Sequence, residues 1–216
     1  MFLPVFNSGV CVFDFENFNN YVGKEKTDLI VESLFNLPEV VGEKNVIDAQ
    51  GGRSLSTVHL YKSHIIPELL NFKSNPLGLW ILNRIAESAV MLGFDKTRNI
   101  RKLKYHRTWV NRMYRNCDAV AHRHAVMGST IPHMVAIYYL EVPENSAELI
   151  FIDDNDFSVM RGGRYYEYAE NQRYTILPKT GRLVCHDARS LHATSAHLSL
   201  LPRTCLIIEV GFPPLK

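Results

Sequence analysis

Met134-Val135-Ala136-Ile137-Tyr138-Tyr139-Leu140-Glu141-Val142, then Pro143-Glu144-Asn145-Ser146, then Ala147-Glu148-Leu149-Ile150-Phe151-Ile152-Asp153, is the stretch whose reading decides the fold. Two runs of β-branched, aromatic and apolar residues flank a cluster of turn formers, which predicts two strands and a turn. Runs of the same texture recur at 105–113, 174–177, 182–186 and 203–211. Turn sequences bound them at Asp153-Asp154-Asn155-Asp156, Pro178-Lys179-Thr180-Gly181 and Leu201-Pro202. Short strands repeated at this spacing predict a sandwich or barrel.

The first hundred residues have a different texture. Residues 9–14 predict a short strand, and 25–36, with Leu29, Ile30, Leu34 and Phe35 in polar surroundings, predict a helix ending before Pro38. Gly51-Gly52 marks a turn in a weakly patterned stretch. A second helix starts at Ser74-Asn75-Pro76, where a capping side chain precedes a proline suited to the first turn. Trp80, Ile81, Ile85, Ala89 and Leu92 then recur at helical spacing as a core stripe, and Gly93 supplies a stop. Helices followed by strands predict an α+β chain of one domain, 1–216. A double-stranded β-helix (a cupin-like jelly roll) is expected over residues 101–216, backed by a helical support with one strand over 1–100.

The bulk numbers narrow the partners. A formal net charge of +2 gives no electrostatic argument for nucleic acid or a membrane surface. Arg98, Arg101, Lys102, Lys104 and Arg107 read as a solvated loop and strand edge. No apolar run reaches the roughly 18 residues that span a bilayer, and Met1-Phe2-Leu3-Pro4 lacks a signal peptide's basic start. Cys11, Cys117, Cys185 and Cys205 show no CxxC spacing, and three sit in apolar, strand-like runs. They predict buried, reduced thiols and a cytoplasmic protein.

The chemistry concentrates in Ala121-His122-Arg123-His124-Ala125 and in His192. Histidines one residue apart point the same way on an extended strand. If a second strand brings His192 alongside, three imidazoles converge on one metal ion. Arg107, Trp109, Asn111 and Met113 alternate on another strand and share a face. His59, His64, His106 and His197 have no partner spacing, and His186 reads as structural; His133, next to Pro132, has a possible place facing the pocket.

Residues 109–210 resemble the core of the 2-oxoglutarate- and iron(II)-dependent oxygenases, in particular the prolyl-hydroxylase-like group and the small oxygenases of bacteria and phages. The resemblance rests on the order of several motifs. Trp109-Val110-Asn111 leads into His122-Arg123-His124, and Ile137-Tyr138-Tyr139-Leu140 matches the family's apolar strand with a tyrosine pair. Ser146 to Phe151 stands where Gly-Gly-x-Leu and an apolar strand usually stand. Pro178-Lys179-Thr180-Gly181-Arg182-Leu183-Val184 resembles the run before the distal histidine, here His192, and Arg203 matches the arginine for the far carboxylate of 2-oxoglutarate.

The resemblance implies an oxidoreductase that uses iron(II), 2-oxoglutarate and O2. Its activity would be a hydroxylation or related C–H oxidation of a small molecule or peptidyl residue. It implies His122 and His192 as metal ligands and Arg203 with Tyr139 on the cosubstrate carboxylate. Independently of the resemblance, the face shared by Arg107, Trp109, Asn111 and Met113 either lines the barrel, with Asn111 hydrogen-bonding cosubstrate or substrate, or is an ordinary packing face with Trp109 as core. The chain departs from the family's His-x-Asp in having His-x-His. Either His124 is the third ligand, or position 124 leaves a coordination site to water or an anion, or the domain keeps only a binding function. Asp118 is a weak substitute carboxylate. A three-histidine metal dioxygenase independent of 2-oxoglutarate stays open as an alternative, as does a non-catalytic ligand-binding jelly roll. Residues 155–173, with Arg161-Gly162-Gly163-Arg164-Tyr165-Tyr166, read as a lid or as a solvated excursion.

Overall fold

A computed structural model of the protein describes residues 1–6, 8–16, 23–37, 46–47, 53–57, 75–125, 132–153, 166 and 169–212. The expected Gly51-Gly52 turn, His59, His64 and most of 155–173 lie outside them. In chain order the elements begin with β1 (Phe2–Val5), β2 (Ser8–Asp14), α1 (Lys24–Phe35), β3 (Val46–Ile47), β4 (Arg53–Ser56) and α2 (Pro76–Met91). The rest are strands: β5 (Lys104–Met113), β6 (Ala119–His122), β7 (Met134–Glu141), β8 (Leu149–Ile152), β9 (Arg173–Ile176), β10 (Arg182–Asp187), β11 (His192–Thr194) and β12 (Arg203–Gly211).

The strands form two antiparallel sheets. The major one runs β1-β2-β10-β7-β12-β5-β4-β3 and the minor one β6-β11-β8-β9. This is the expected jelly roll. The expected strands and both helices are present, their ends displaced by no more than two residues, and β12 has the expected bounds. N-terminal strands β1 to β4 extend the major sheet at both edges.

Side chains alternate across each strand, so the major sheet separates two cores. On its outer face Val110, Ala136, Leu183, Leu206 and Ile208 meet Leu77, Ile81, Ile85 and Ala89 of α2. On its inner face Trp109, Val135, Ile137, Val184 and Ile207 meet Leu149 and Phe151 of the minor sheet. Burial on both faces explains why these strands read as continuous apolar runs.

Helix α2 begins as its sequence demands: Asn75 Oδ1 accepts the Leu77 N–H at 3.1 Å, a cap whose loss typically costs about 1 kcal/mol. Gly93, at φ +79°, turns the chain after it. All four cysteines are free and buried. Among the described residues no helix is long and apolar enough to cross a membrane.

Candidate metal centre

The site sits between the sheets, and strand register builds it. Across the inner face of the major sheet, Arg107, Glu209, Val135, His186 and Val10 stand side by side on β5, β12, β7, β10 and β2. Opposite them on the minor sheet, His122 of β6 and Phe151 of β8 flank His192 of β11. His124 completes the group, but not as the sequence suggests. Strand β6 ends at His122, and the chain bends so that the N–H groups of His124 and Ala125 both donate to the Ala188 carbonyl. His122 and His124 converge across this bend, with ring centroids 5.3 Å apart.

His122, His124 and His192 each bring a ligand nitrogen within 4.8 Å of the others. Their orientation is fixed from behind. His122 Nδ1–H donates to the Val120 carbonyl at 2.8 Å and His192 Nδ1–H to the Ser190 carbonyl at 3.1 Å. His124 Nδ1 is bonded to Glu209 Oε1 at 2.6 Å. With Nδ1 engaged in each ring, Nε2 is left as the free lone pair, the tautomer that binds metal.

Burial works in the same direction. It holds His192 well below the ordinary imidazole range, and the neighbouring histidines push it lower. His122 keeps one flank open to solvent, yet the protein packed on its other side also lowers its pKa. Neutral imidazoles in this number suit iron, copper, nickel or zinc.

Glu209 is fully buried. Burial pushes its pKa up, but hydrogen bonds from His124 and Arg107 outweigh that and leave the carboxyl below its ordinary range. Arg107 grips it through Nε and Nη2, both at 2.6 Å. The expected solvated role of Arg107 is thus corrected: the strand turns it inward onto a carboxylate.

The opposite end of the same interior is polar again. Asn111, Cys205 and Tyr139 stand abreast in register, and Arg203 follows beside Met113. Arg203 is 4% exposed. Its Nη1 donates to the Ala147 carbonyl at 2.6 Å, and its guanidinium carbon lies 5.6 Å from the centroid of the Tyr139 ring. Arg203 Nε and Asn111 Oδ1 are buried without a hydrogen-bond partner. Among the described residues no carboxylate pairs with Arg203, so a buried cation faces the interior ready for an anionic partner.

The other histidines separate by role. His197 is a satisfied core residue: Nδ1 accepts from Ala147 N–H and Nε2–H donates to the Leu201 carbonyl. His133 accepts from Phe212 N–H and packs against Phe94 and Phe212, so it does not join the cluster. His106 lies at the rim, 3.9 Å from Glu209. Asp118 is buried but does not join the three ligand nitrogens.

His186, expected to be structural, belongs instead to the inner row, its ring centroid 4.7 Å from that of His192. Burial lowers its pKa to about 3. Sequence reading also missed Glu209, although a lone carboxylate at an inward position of the run 203–211 was a usable signal.

Comparison with known proteins agrees with this geometry. Residues 107–209 match the family model described as a putative 2OG-Fe(II) oxygenase. No curated protein matches the sequence. Among solved structures, an oxidoreductase of the 2OG-Fe(II) oxygenase family from Burkholderia pseudomallei is similar at TM-score 0.57 and 15% identity, over 94% of this chain and 84% of that one. EvdO2 from Micromonospora carbonacea var. aurantiaca, solved with 2-oxoglutarate, is similar at TM-score 0.62 and 12% identity, over 97% and 88%. A prolyl hydroxylase from Trichoplax adhaerens, in complex with a peptide fragment, is similar at TM-score 0.58 and 14% identity, over 95% and 84%. At these identities the likeness shows the fold.

Proposed function

We propose that this chain, which belongs to the 2OG-Fe(II) oxygenases through residues 107–209, holds Fe(II) on Nε2 of His122, His124 and His192 and takes the far carboxylate of 2-oxoglutarate on Arg203. The observation that carries the ligand set is the shared orientation of the three imidazoles, each with Nδ1 bonded away from the cluster. Glu209 supplies, through His124, the negative charge that His-x-Asp would put directly on the metal. A carboxylate behind a ligating histidine fixes its ring and raises its basicity.

Arg203 suits a carboxylate because its planar fork can bind both oxygens, and its buried Nε is unpaired. Tyr139 walls that end of the interior. Asn111 offers an acceptor beside it, toward cosubstrate or substrate. Trp109, Ile137, Val184 and Ile207 lie between the polar ends and keep water from the path joining them.

When bound, iron and 2-oxoglutarate supply the oxidising chemistry: O2 is consumed, succinate and carbon dioxide form, and a substrate C–H bond is hydroxylated. A cleft of about 280 Å³ is lined by Phe6, Ser8, Phe151, Asp187, Ser190 and Leu191, of which Leu191 precedes His192 in the chain and Phe151 pairs with it in register. Its size suits a small molecule or one side chain of a peptide.

The test is turnover. Protein reconstituted with Fe(II) should form succinate from 2-oxoglutarate only when O2 is present, slowly without substrate, and His192→Ala should form none. Oxygen uptake without succinate would favour the three-histidine dioxygenase. No consumption of either by the folded, iron-loaded protein would contradict the enzymatic reading.

A further inference from the structure

The inner row carries a fourth imidazole that the proposed ligand set does not use. His186 is 0% exposed. Its Nδ1–H donates to the Asp187 carbonyl at 2.8 Å, so its Nε2 is an acceptor. That nitrogen is buried without a hydrogen-bond partner. The ring is walled by His192 (4.7 Å between centroids), Phe151 (5.1 Å) and His124 (6.4 Å), with no N–H or O–H from these groups bonded to it. A buried acceptor left unsatisfied is costly, and a chain that keeps one in its active cavity provides for a donor from outside the protein.

His186 is not a fourth ligand in this arrangement, because it does not join the group whose ligand nitrogens lie within 4.8 Å of one another. A fourth imidazole on the metal would also leave too few positions for a bidentate keto acid and oxygen together. An apolar side chain would fill the same space beside Phe151 with no orphaned nitrogen.

We propose that His186 is a positioning residue whose Nε2 accepts a hydrogen bond from an O–H or N–H donor on the open side of the metal. In the resting protein that donor is a metal-bound water; in the substrate complex it is a hydroxyl or amino group of the substrate. The inference rests on the three-histidine metal site proposed above. It adds a substrate class: molecules or side chains carrying a hydrogen-bond donor near the oxidised carbon.

Mn(II) alone serves as the probe, read by metal affinity and by relaxation of water protons on the loaded protein. In His186→Phe, affinity should stay within about threefold of the native value, while the residence time of the bound water falls by about threefold or more. His186→Gln, which restores a polar acceptor, should recover the native residence time. A tenfold or greater loss of affinity in His186→Phe would make His186 a ligand and overturn the proposal. Unchanged water exchange in His186→Phe would overturn the resting-state role, and with it the proposal. Failure of the native, folded chain to bind Mn(II), Fe(II) or Co(II) would overturn the metal site and this inference together, which separates the two failures. A crystal structure of the Co(II)-loaded protein checks the geometry: Nε2 within hydrogen-bond distance of a metal-bound water supports the proposal, and Nε2 bonded to a protein group contradicts it.

Discussion

His124 Nδ1 lies 2.6 Å from Glu209 Oε1, on a carboxylate that is fully buried and gripped through both its oxygens by Arg107. The three residues form one chain of hydrogen bonds leading to the candidate metal site: a guanidinium fixes the carboxylate, which fixes the imidazole. Glu209→Gln keeps the shape and removes the charge. Its affinity for Fe(II) or Co(II) should fall about 10- to 100-fold, measured by titration with the metal alone. Glu209→Ala should in addition destabilise the fold by about 1–3 kcal/mol, because Arg107 and His124 lose their shared acceptor, measured by denaturant unfolding.

Arg203 provides the test of the cosubstrate end. Arg203→Leu removes a buried cation, and binding of 2-oxoglutarate to the iron-loaded protein should weaken about 30-fold or more. Metal affinity should change little. Arg203→Lys keeps the charge but loses the fork, so it should recover only part of the binding. Equal loss of metal and cosubstrate binding in Arg203→Leu would mean that the residue only supports the fold through Ala147.

The metal-free protein should lose stability on acidification. Unfolded histidine titrates near pH 6.5, whereas burial holds His192 well below that range and His186 at about 3 in the folded chain. Below pH 6.5 the unfolded state therefore binds protons that the folded state refuses, and stability falls from there toward about pH 3. Glu209, also lowered, adds to the loss below its ordinary carboxylate range. Above pH 6.5 these histidines contribute no pH dependence. Thermal unfolding in a chelating buffer should show a lower Tm at pH 5.5 than at pH 7.5, with a shallower slope in His186→Phe.

The thiols should be silent in the native state. Cys11, Cys117, Cys185 and Cys205 are free and buried, and burial raises the pKa of Cys11, Cys185 and Cys205. A thiol-specific reagent should label the folded protein slowly and all four cysteines promptly in denaturant.

The two doubly buried strands β7 and β12 were legible because solvent touches neither face, so their residues read as unbroken apolar runs. Helix α2 was legible through Asn75 and the stripe Ile81, Ile85, Ala89. Strand β11 was not, since three residues carry no period. The convergence of His122, His124 and His192 was visible as spacing, but its cause differed, with a bend at His124 doing what an extended strand was expected to do. Glu209 and His186 were hidden for a common reason. Each is a polar residue inside an apolar strand, and only the register across β12, β7 and β10 shows that both share a row with Arg107.

The most direct test of the three-histidine, 2-oxoglutarate-binding site is an anaerobic titration of the apo-protein with Fe(II) and then 2-oxoglutarate, following the weak visible charge-transfer band of the chelate. The band should appear only when both are present, vanish in His122→Ala and His192→Ala, and weaken or vanish in His124→Ala. Iron binding with no band on adding 2-oxoglutarate, or a band that survives in His192→Ala, would contradict it.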